Sequence, residues 1–311
     1  MPNVAATPGV KLKSVLVASD FSEASAKPLR HALTISRHFG ANFYLAHVVS
    51  SLGYTLAGPQ ALDLASDAAA RDAAKLQRDL VDGGLLVAPN HEFLVRQGIV
   101  WQELEQLVRE KHADLLVIGT HGRKGLGKLL LGSIAEQIFR HADCLVLTVG
   151  PRSFQNSSLE KIEAPRTYLF ATDFGPASLH ALPYAIAFAN QLGAKLVLLH
   201  VAPIMPMPEG FHWSKTTADV SVMQDNAREE SLHRLQELLS QNDPLALEPQ
   251  FTVKFGVPSK KILQVADSLK ADLIIMGLNR STHIDTLSHM PWATAYEVVC
   301  GASCPVLTVR K

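Results

Sequence analysis

The sequence has few cysteines, no long apolar run and no excess of charge of either sign. Its 311 residues include three cysteines, Cys144, Cys300 and Cys304, and a small odd number is typical of a reducing compartment. No apolar run approaches the roughly 20 residues of a membrane-spanning helix, and no signal peptide is evident. Lys plus Arg and Asp plus Glu each number 29, which does not favour broad binding to nucleic acid. We expect a cytoplasmic protein with neither a membrane nor a nucleic-acid partner.

The chain does contain a regular alternation of strand-like and helix-like segments. Hydrophobic residues make up 47% of it, and its length is sufficient for two domains. In the first 150 residues we predict strands at 14–19, 42–49, 92–96, 114–118 and 144–149, and helices at 23–39, 61–81, 100–111 and about 130–141. This order predicts a parallel sheet with helices on both faces.

The pattern then starts again, which indicates a tandem duplication. Residues 173–201 align without a gap on residues 20–48, at an offset of 153 and with 11 identities in 29 positions. The runs 271–277 and 304–309 repeat 113–119 and 144–149 at offsets of 158 and 160. We therefore predict two copies of one α/β unit, with a linker between Gly150 and Pro165.

The loop from Gly119 to Ser133 is the first candidate for chemistry. It follows a buried strand and leads into a helix, and it contains five glycines together with Arg123, Lys124 and Lys128. Glycines let backbone N–H groups approach an anion closely, and the start of a helix offers further N–H groups and a positive dipole potential. We interpret this loop as a site for nucleotide phosphates. A connection that binds nothing is the alternative.

On these residues each half resembles a universal stress protein domain, over roughly residues 12–150 and 166–310. ATP-binding members of that family share glycine, two residues, glycine, nine residues, glycine, then serine or threonine, and Gly119, Gly122, Gly132 and Ser133 match this spacing. The resemblance implies a Rossmann-like fold: two tandem, doubly wound, five-stranded parallel sheets with strand order 3-2-1-4-5. It also implies that the last strands of the two halves pair, giving a pseudo-twofold axis within one chain, with a further homodimer as an additional prospect.

The resemblance also implies the positions of the ligand contacts. Asp20, after the first strand, would lie near the ribose and phosphates, Val48 would meet adenine through its backbone, and Ala18 and Ile118 would line the base pocket. The predicted cofactor-binding set is Ala18, Asp20, Val48, Ile118, Gly119, His121, Gly122, Gly132, Ser133 and Ile134. Independently, ligands of doubly wound sheets bind beyond the carboxyl ends of the strands where strand order reverses, so Asp20 and Gly119 should face one crevice.

The second copy departs from the glycine pattern. Gly277 is kept, but Arg280 replaces the second glycine, and Trp292 and Ala293 stand where Gly132 and Ser133 would align, after two extra residues. These changes leave little room for a triphosphate. We therefore expect residues 1–150 to form a domain with an intact nucleotide motif, and residues 166–311 one with a degraded motif that holds another ligand or only completes the pseudo-dimer.

Several singled-out residues have a structural interpretation beside the functional one. Asp20 and its repeat Asp173 are able to cap helices, and we expect His47 and His200 to be hydrogen-bonded structural residues. Cys300 and Cys304 are better interpreted as buried thiols than as a metal or redox pair. His283, Asp285 and His289 fit a solvated loop better than a metal site, because no fourth ligand is apparent. For His121 the sequence does not choose between phosphate and solvent.

The function expected is that of a stress-response protein that binds ATP or a related adenine nucleotide in its first half and acts through an unknown protein partner. Mg²⁺ or Mn²⁺ is the expected companion ion of ATP. The loop lacks the Gly-Lys-Ser/Thr ending of a P-loop, so that hydrolase mechanism is not implied. A slow hydrolase or phosphotransferase, with Asp20 and Ser133 organising a metal and the phosphates, is one alternative, although no general base is evident. An interaction protein with both sites empty is the other.

Overall fold

The computed structural model of the chain describes residues 10–54, 57–86, 90–120, 131–150, 166–203, 217–242, 244–279 and 293–311. Ten strands and eight α-helices are assigned in these ranges. The strands are β1 (Ser14–Ala18), β2 (Asn42–Ser50), β3 (His91–Gly98), β4 (Leu115–Gly119), β5 (Leu145–Val149), β6 (Arg166–Thr172), β7 (Ala194–Ala202), β8 (Gln250–Phe255), β9 (Leu273–Leu278) and β10 (Val306–Arg310). The helices are α1 (Ala26–Phe39), α2 (Pro59–Asp82), α3 (Val100–Glu110), α4 (Ser133–His141), α5 (Pro176–Leu192), α6 (Thr217–Ser240), α7 (Pro258–Leu269) and α8 (Ala293–Gly301).

All ten strands form one sheet in the order β3-β2-β1-β4-β5-β10-β9-β6-β7-β8. Within each half the paired strands are parallel, and the order of the first half is the predicted 3-2-1-4-5, repeated as its mirror sequence in the second. Two apolar clusters cover the two sheet faces, as expected for strands buried on both sides. The predicted α/β class and tandem architecture are confirmed.

The two halves join through their last strands. β5 and β10 run antiparallel, with Leu147 opposite Leu307, and the guanidinium of Arg310 donates to the carbonyl oxygen of Arg140 at 2.9 Å. Helices α1 and α5 pack across the same junction, where the rings of Phe39 and Phe188 lie 5.1 Å apart. The pairing of the final strands within one chain is as the resemblance implied.

Element ends differ from the sequence prediction where side chains compete with the backbone. The first helix was predicted from Glu23, but residues Glu23–Ser25 form a 3₁₀ turn and α1 starts at Ala26, because Asp20 draws Ser22 and Ser25 into a separate hydrogen-bonded loop. The helix predicted from about residue 130 is described from Ser133. Gly40 ends α1 as predicted, with a φ of 65°, a left-handed conformation that favours glycine.

The cysteines are free thiols. Cys304 is buried, as predicted, and burial raises its pKa to about 12, while Cys300 is half-buried. Among the described residues no His, Cys, Asp and Glu side chains are grouped to hold a metal ion, and His283, Asp285 and His289 lie outside them. Nor does any described helix combine the length and apolar character needed to cross a membrane.

One half-buried histidine at the junction is expected to make the fold acid-sensitive. Burial, then the positive charges of Arg166 and Lys27, lower the pKa of His31 from 6.5 to about 4; Asp272 and Tyr168 face the same cavity. As the pH falls, the His31 imidazole of the unfolded chain is protonated before that of the folded chain. Acid therefore lowers the free energy of unfolding, by about 3 kcal/mol in total, as the pH falls from 6.5 to 4. Urea unfolding from pH 7 to 4 should show this loss.

The matched control for this prediction is a second histidine on the same helix. His31→Gln should flatten the dependence of unfolding free energy on pH between 6.5 and 4, whereas His38→Gln, at an exposed site on α1, should not. An unchanged pH profile in His31→Gln would show that the imidazole is not held neutral by its surroundings.

Candidate functional site

The predicted site residues that the structure describes converge on one edge of the first half. Ala18 ends β1, Gly119 ends β4, and these strands are neighbours in the sheet. Val48 lies within β2, opposite Arg96 of β3. β2 is the other neighbour of β1. The three strands that carry these residues thus end side by side, where strand order reverses.

The apolar members of the set share one sheet face. Ile118 is 3% exposed, and Ala18, Val48 and Ile134 are partly buried against the same cluster. A surface of small and aliphatic side chains that is only partly covered is suited to the flat face of a ring system. The three residues implied as the base pocket, together with Ile134 of α4, are therefore adjacent in the folded chain.

Helix α4 begins beside this surface. Gly132 is its N-cap and has no side chain to satisfy the first-turn N–H groups, and the next residue, Ser133, is exposed. The Gly132 N–H donates to the carbonyl oxygen of Thr120 at 3.0 Å, and the Thr120 N–H donates to that of Val149 at 3.0 Å. These two bonds fix the helix start against the ends of β4 and β5. A helix start whose N-cap residue supplies no side-chain acceptor has, with the helix dipole, the chemistry of an anion site.

Asp20 organises the loop between β1 and α1. Its Oδ1 accepts hydrogen bonds from the Ser22 backbone N–H, at 3.0 Å, and from the hydroxyls of Ser22 and Ser25. Asp173 does the same in the second half, accepting from the Gly175 N–H at 2.8 Å and from the Ser178 hydroxyl. Neither aspartate is the N-cap residue of the following helix; each closes the turn that precedes it, so the structural role of this residue is present in both copies although the predicted helix cap is not. Contact with a ligand is a further role that this geometry leaves to be proposed.

The residue after each aspartate is held in an unusual conformation. Phe21 and Phe174 have φ values of 55° and 60°, in the left-handed region that large side chains rarely adopt. Each ring packs on a histidine, Phe21 on His47 at 4.7 Å and Phe174 on His200 at 4.4 Å between ring centroids. In both halves this pair therefore lies at the turn that follows the strand.

The two histidines are anchored as predicted. His47 Nδ1 lies 2.8 Å from the carbonyl oxygen of Ser19, and His200 Nδ1 lies 2.9 Å from that of Thr172. Both bonds join β2 or β7 to the end of the neighbouring strand. The structural interpretation of His47 and His200 is confirmed. The repeated Asp-Phe pair is the sequence signal from which this unusual turn could have been predicted.

The second half contains a cavity at the equivalent place. It has a volume of about 200 Å³. Its lining includes the counterparts of six predicted residues of the first half, namely Ala171, Asp173, Val201, Met276, Gly277 and Thr294. Since the two halves share one fold, the predicted positions of the first half are positions that line a single cleft. Thr294 in place of Ile134 makes the second cleft more polar on its helix side.

The retained glycine of the second copy has a packing role. A Cβ on Gly277 would lie 2.2 Å from the carbonyl oxygen of Ala177 and 2.4 Å from the Ser178 nitrogen, both at the start of α5. A Cβ on Gly132 would lie 3.1 Å from the Thr120 carbonyl oxygen, a much milder contact. The first glycine of the pattern therefore allows helix and strand to approach, whether or not a ligand is bound.

Part of the predicted loop lies outside the described residues. His121 and Gly122 fall in the range 121–130, and Arg280 and Trp292 fall in 280–292. The predictions made for them stay predictions.

Comparison with known proteins identifies the fold family. The sequence model of the universal stress protein family matches residues 11–150 and again residues 165–310. The chain belongs to the universal stress protein family. The double match makes it a tandem member, as the internal repeat and the single ten-stranded sheet indicated.

Individual universal stress proteins resemble either the whole chain or one half of it. Universal stress protein MJ0531 of Methanocaldococcus jannaschii is 30% identical over 142 residues, which cover 44% of this chain and 81% of the relative. A universal stress protein of Archaeoglobus fulgidus, 19% identical, covers 97% of both chains with a TM-score of 0.65. Another, solved in complex with cAMP, is 20% identical and covers 47% of this chain and 98% of its own, with a TM-score of 0.31.

Proposed function

We propose that this universal stress protein binds ATP, or a related adenine nucleotide, in its first half, and that nucleotide occupancy changes its interaction with a protein partner in the cytoplasm. The observation that supports this most is the convergence of Ala18, Val48 and Ile118 beside the uncapped start of α4. One surface is suited to an aromatic base, and the other to phosphate.

In this proposal each element of the crevice has a separate task. The base lies against Ala18, Val48 and Ile118, with Ile134 as an outer wall. Asp20 faces the ribose and phosphates. The phosphates meet the first-turn N–H groups of α4 and the Ser133 hydroxyl, and Gly132 leaves room for them. We place Gly119 at the base of the crevice and keep His121 and Gly122 as predicted phosphate contacts.

A divalent ion is expected to bind with the nucleotide rather than before it. Within the described part of the chain no cluster of three His, Cys, Asp or Glu side chains is placed to hold a metal ion, and Oδ1 of Asp20 is already occupied by three donors. Mg²⁺ or Mn²⁺ would thus be held mainly by phosphate oxygens, with waters completing its shell.

We propose that the second half does not bind ATP in this manner. Its cavity keeps the carboxylate of Asp173, and Arg234 of α6 stacks over Phe174 with 4.2 Å between the guanidinium carbon and the ring centroid. The phosphate-facing glycine and serine of α4 are replaced by Trp292 and Ala293. The fold is therefore kept without the elements that would accommodate a triphosphate.

Nucleotide carried through purification provides a first test. Mass spectrometry of the denatured protein should release ATP or another adenine nucleotide in an amount close to one per chain, and none would favour an interaction protein with empty sites. After stripping and reloading with ATP, the bound nucleotide should remain ATP over hours. Steady conversion to ADP would favour the slow hydrolase. In a separate measurement, cAMP serves as a ligand that competes with ATP for the site.

The two aspartates form a matched pair of variants. Asp20→Ala and Asp173→Ala each remove the acceptor of a backbone N–H and of serine hydroxyls, so each should destabilise the chain by about 1–2 kcal/mol. Only Asp20→Ala should also weaken ATP binding, by about tenfold or more. Equal ATP affinity in the two variants would remove Asp20 from the site and leave only its structural role in the turn.

A further inference from the structure

A second cavity lies at the junction of the two halves. It is near the amino ends of the strands, whereas the proposed nucleotide crevice is at their carboxyl ends. The cavity has a volume of about 50 Å³ and is bounded by α1, β5, α5 and the amino ends of β6 and β9. Its polar lining consists of His31, Thr34, Arg166, Tyr168 and Asp272. A water-sized sphere needs about 10–15 Å³ of such volume, so the cavity has room for about four heavy atoms.

One group in this cavity has an unsatisfied hydrogen-bonding atom. His31 Nε2 is buried and makes no hydrogen bond with any residue that the structure describes. Burying a polar atom without a partner costs about 1–3 kcal/mol. An atom of this kind on the wall of a cavity indicates that something inside the cavity bonds to it.

The charges around the cavity favour a negative occupant. Burial is the largest cause of the lowered pKa of His31, and the positive charges of Arg166 and Lys27 come next, so two cations lie near the imidazole. Asp272 is the one opposing charge of the cavity lining: burial raises its pKa, the charge of Arg166 lowers it, and its Oδ2 accepts from the Thr167 backbone N–H at 2.8 Å. Asp114 makes the same bond to Ser14 in the first half, at 3.0 Å, so this aspartate has a structural task.

The internal repeat shows that the polar lining is particular to one side of the junction. At the offset of 153, His31 corresponds to Tyr184, Arg166 to Lys13 and Tyr168 to Val15. The imidazole, guanidinium and phenol therefore meet on one side only. A purely structural requirement of the fold would apply to both sides.

We propose that this cavity binds a small planar oxyanion of the size of acetate or bicarbonate, held by the Arg166 guanidinium and by His31 Nε2–H. The planar fork of arginine matches two oxygens of such an anion. The neutral imidazole supplies one N–H donor, and the Thr34 hydroxyl is a third group on the cavity wall. Occupancy would tie α1 of the first half to β6 of the second.

The test is a titration of the full-length, ¹⁵N-histidine-labelled protein with sodium acetate and, separately, sodium bicarbonate at constant ionic strength set with chloride. The His31 Nε2 signal, assigned with His31→Gln, should shift and saturate in the millimolar range with at least one of the two anions. A shift that does not saturate, or the absence of a shift, would mean that the cavity holds only water and would overturn the proposal.

Arg166 and Lys13, which occupy equivalent positions in the two halves, supply the matched variants. Arg166→Gln should weaken the anion about tenfold or more, whereas Lys13→Gln, its counterpart on the other side, should leave the affinity unchanged. If Arg166→Gln does not fold, Arg166→Lys replaces it, and the loss of the fork should still weaken binding several-fold. Equal affinity in the folded Arg166 variant and the wild type would show that the anion is bound elsewhere.

Discussion

Replacing Gly132 with tryptophan is expected to abolish nucleotide binding while the chain stays folded. The Cβ of any residue here already lies 3.1 Å from the Thr120 carbonyl oxygen, and an indole would extend over the start of α4, where we place the phosphates. The loss should be at least about 100-fold in Kd, since both the space and the first-turn N–H contacts are removed. Calorimetric titration with ATP measures it.

The control for this variant is a smaller substitution at the same position. Gly132→Ala requires a shift of a few tenths of an ångström at Thr120 and should weaken ATP by no more than about tenfold. Because tryptophan already occupies the aligned position 292 of the second copy, the fold itself tolerates the side chain there. Retained affinity in folded Gly132→Trp would contradict the site assignment.

Gly277→Ala is expected to destabilise the second half strongly. Its methyl group would lie 2.2 Å from the Ala177 carbonyl oxygen and 2.4 Å from the Ser178 nitrogen. Both atoms belong to the backbone, so the start of α5 must move away from β9. We expect a loss of at least about 3 kcal/mol in the free energy of unfolding, measured by urea titration.

Gly301→Ala provides the comparison in the same half. Its Cβ would meet Leu263 Cδ1 at 2.6 Å, which is the end of a flexible side chain that is able to change rotamer. The destabilisation should therefore be smaller, about 1 kcal/mol. If the two substitutions cost the same, close approach of α5 to β9 is not what requires Gly277.

The architecture was predictable because its signals are local and repeated. Unbroken aliphatic runs such as Leu115–Gly119 specify strands buried on both faces, and the duplicated Asp-Phe and Ala-Asp segments place the same strands in both halves. It was also predictable that β2, β1 and β4 end side by side, because the carboxyl ends of parallel strands meet at one edge of the sheet.

The roles of individual residues were less accessible. The glycine pattern was interpreted through phosphate binding, yet its first glycine has a packing contact in the copy where the pattern is lost. Asp20 proved to accept three hydrogen bonds within its own loop, which spacing alone does not specify. His31 and Arg166 come together only through the β5–β10 pairing, and no local pattern relates two such distant positions.

The most direct test of the central proposal is the stoichiometry of ATP binding to the full-length chain, measured by isothermal titration calorimetry after bound nucleotide is removed. We expect one ATP per chain, because one half keeps the glycines and serine at its helix start and the other does not. Two ATP molecules per chain, or none, would contradict the assignment of the nucleotide to the first half alone.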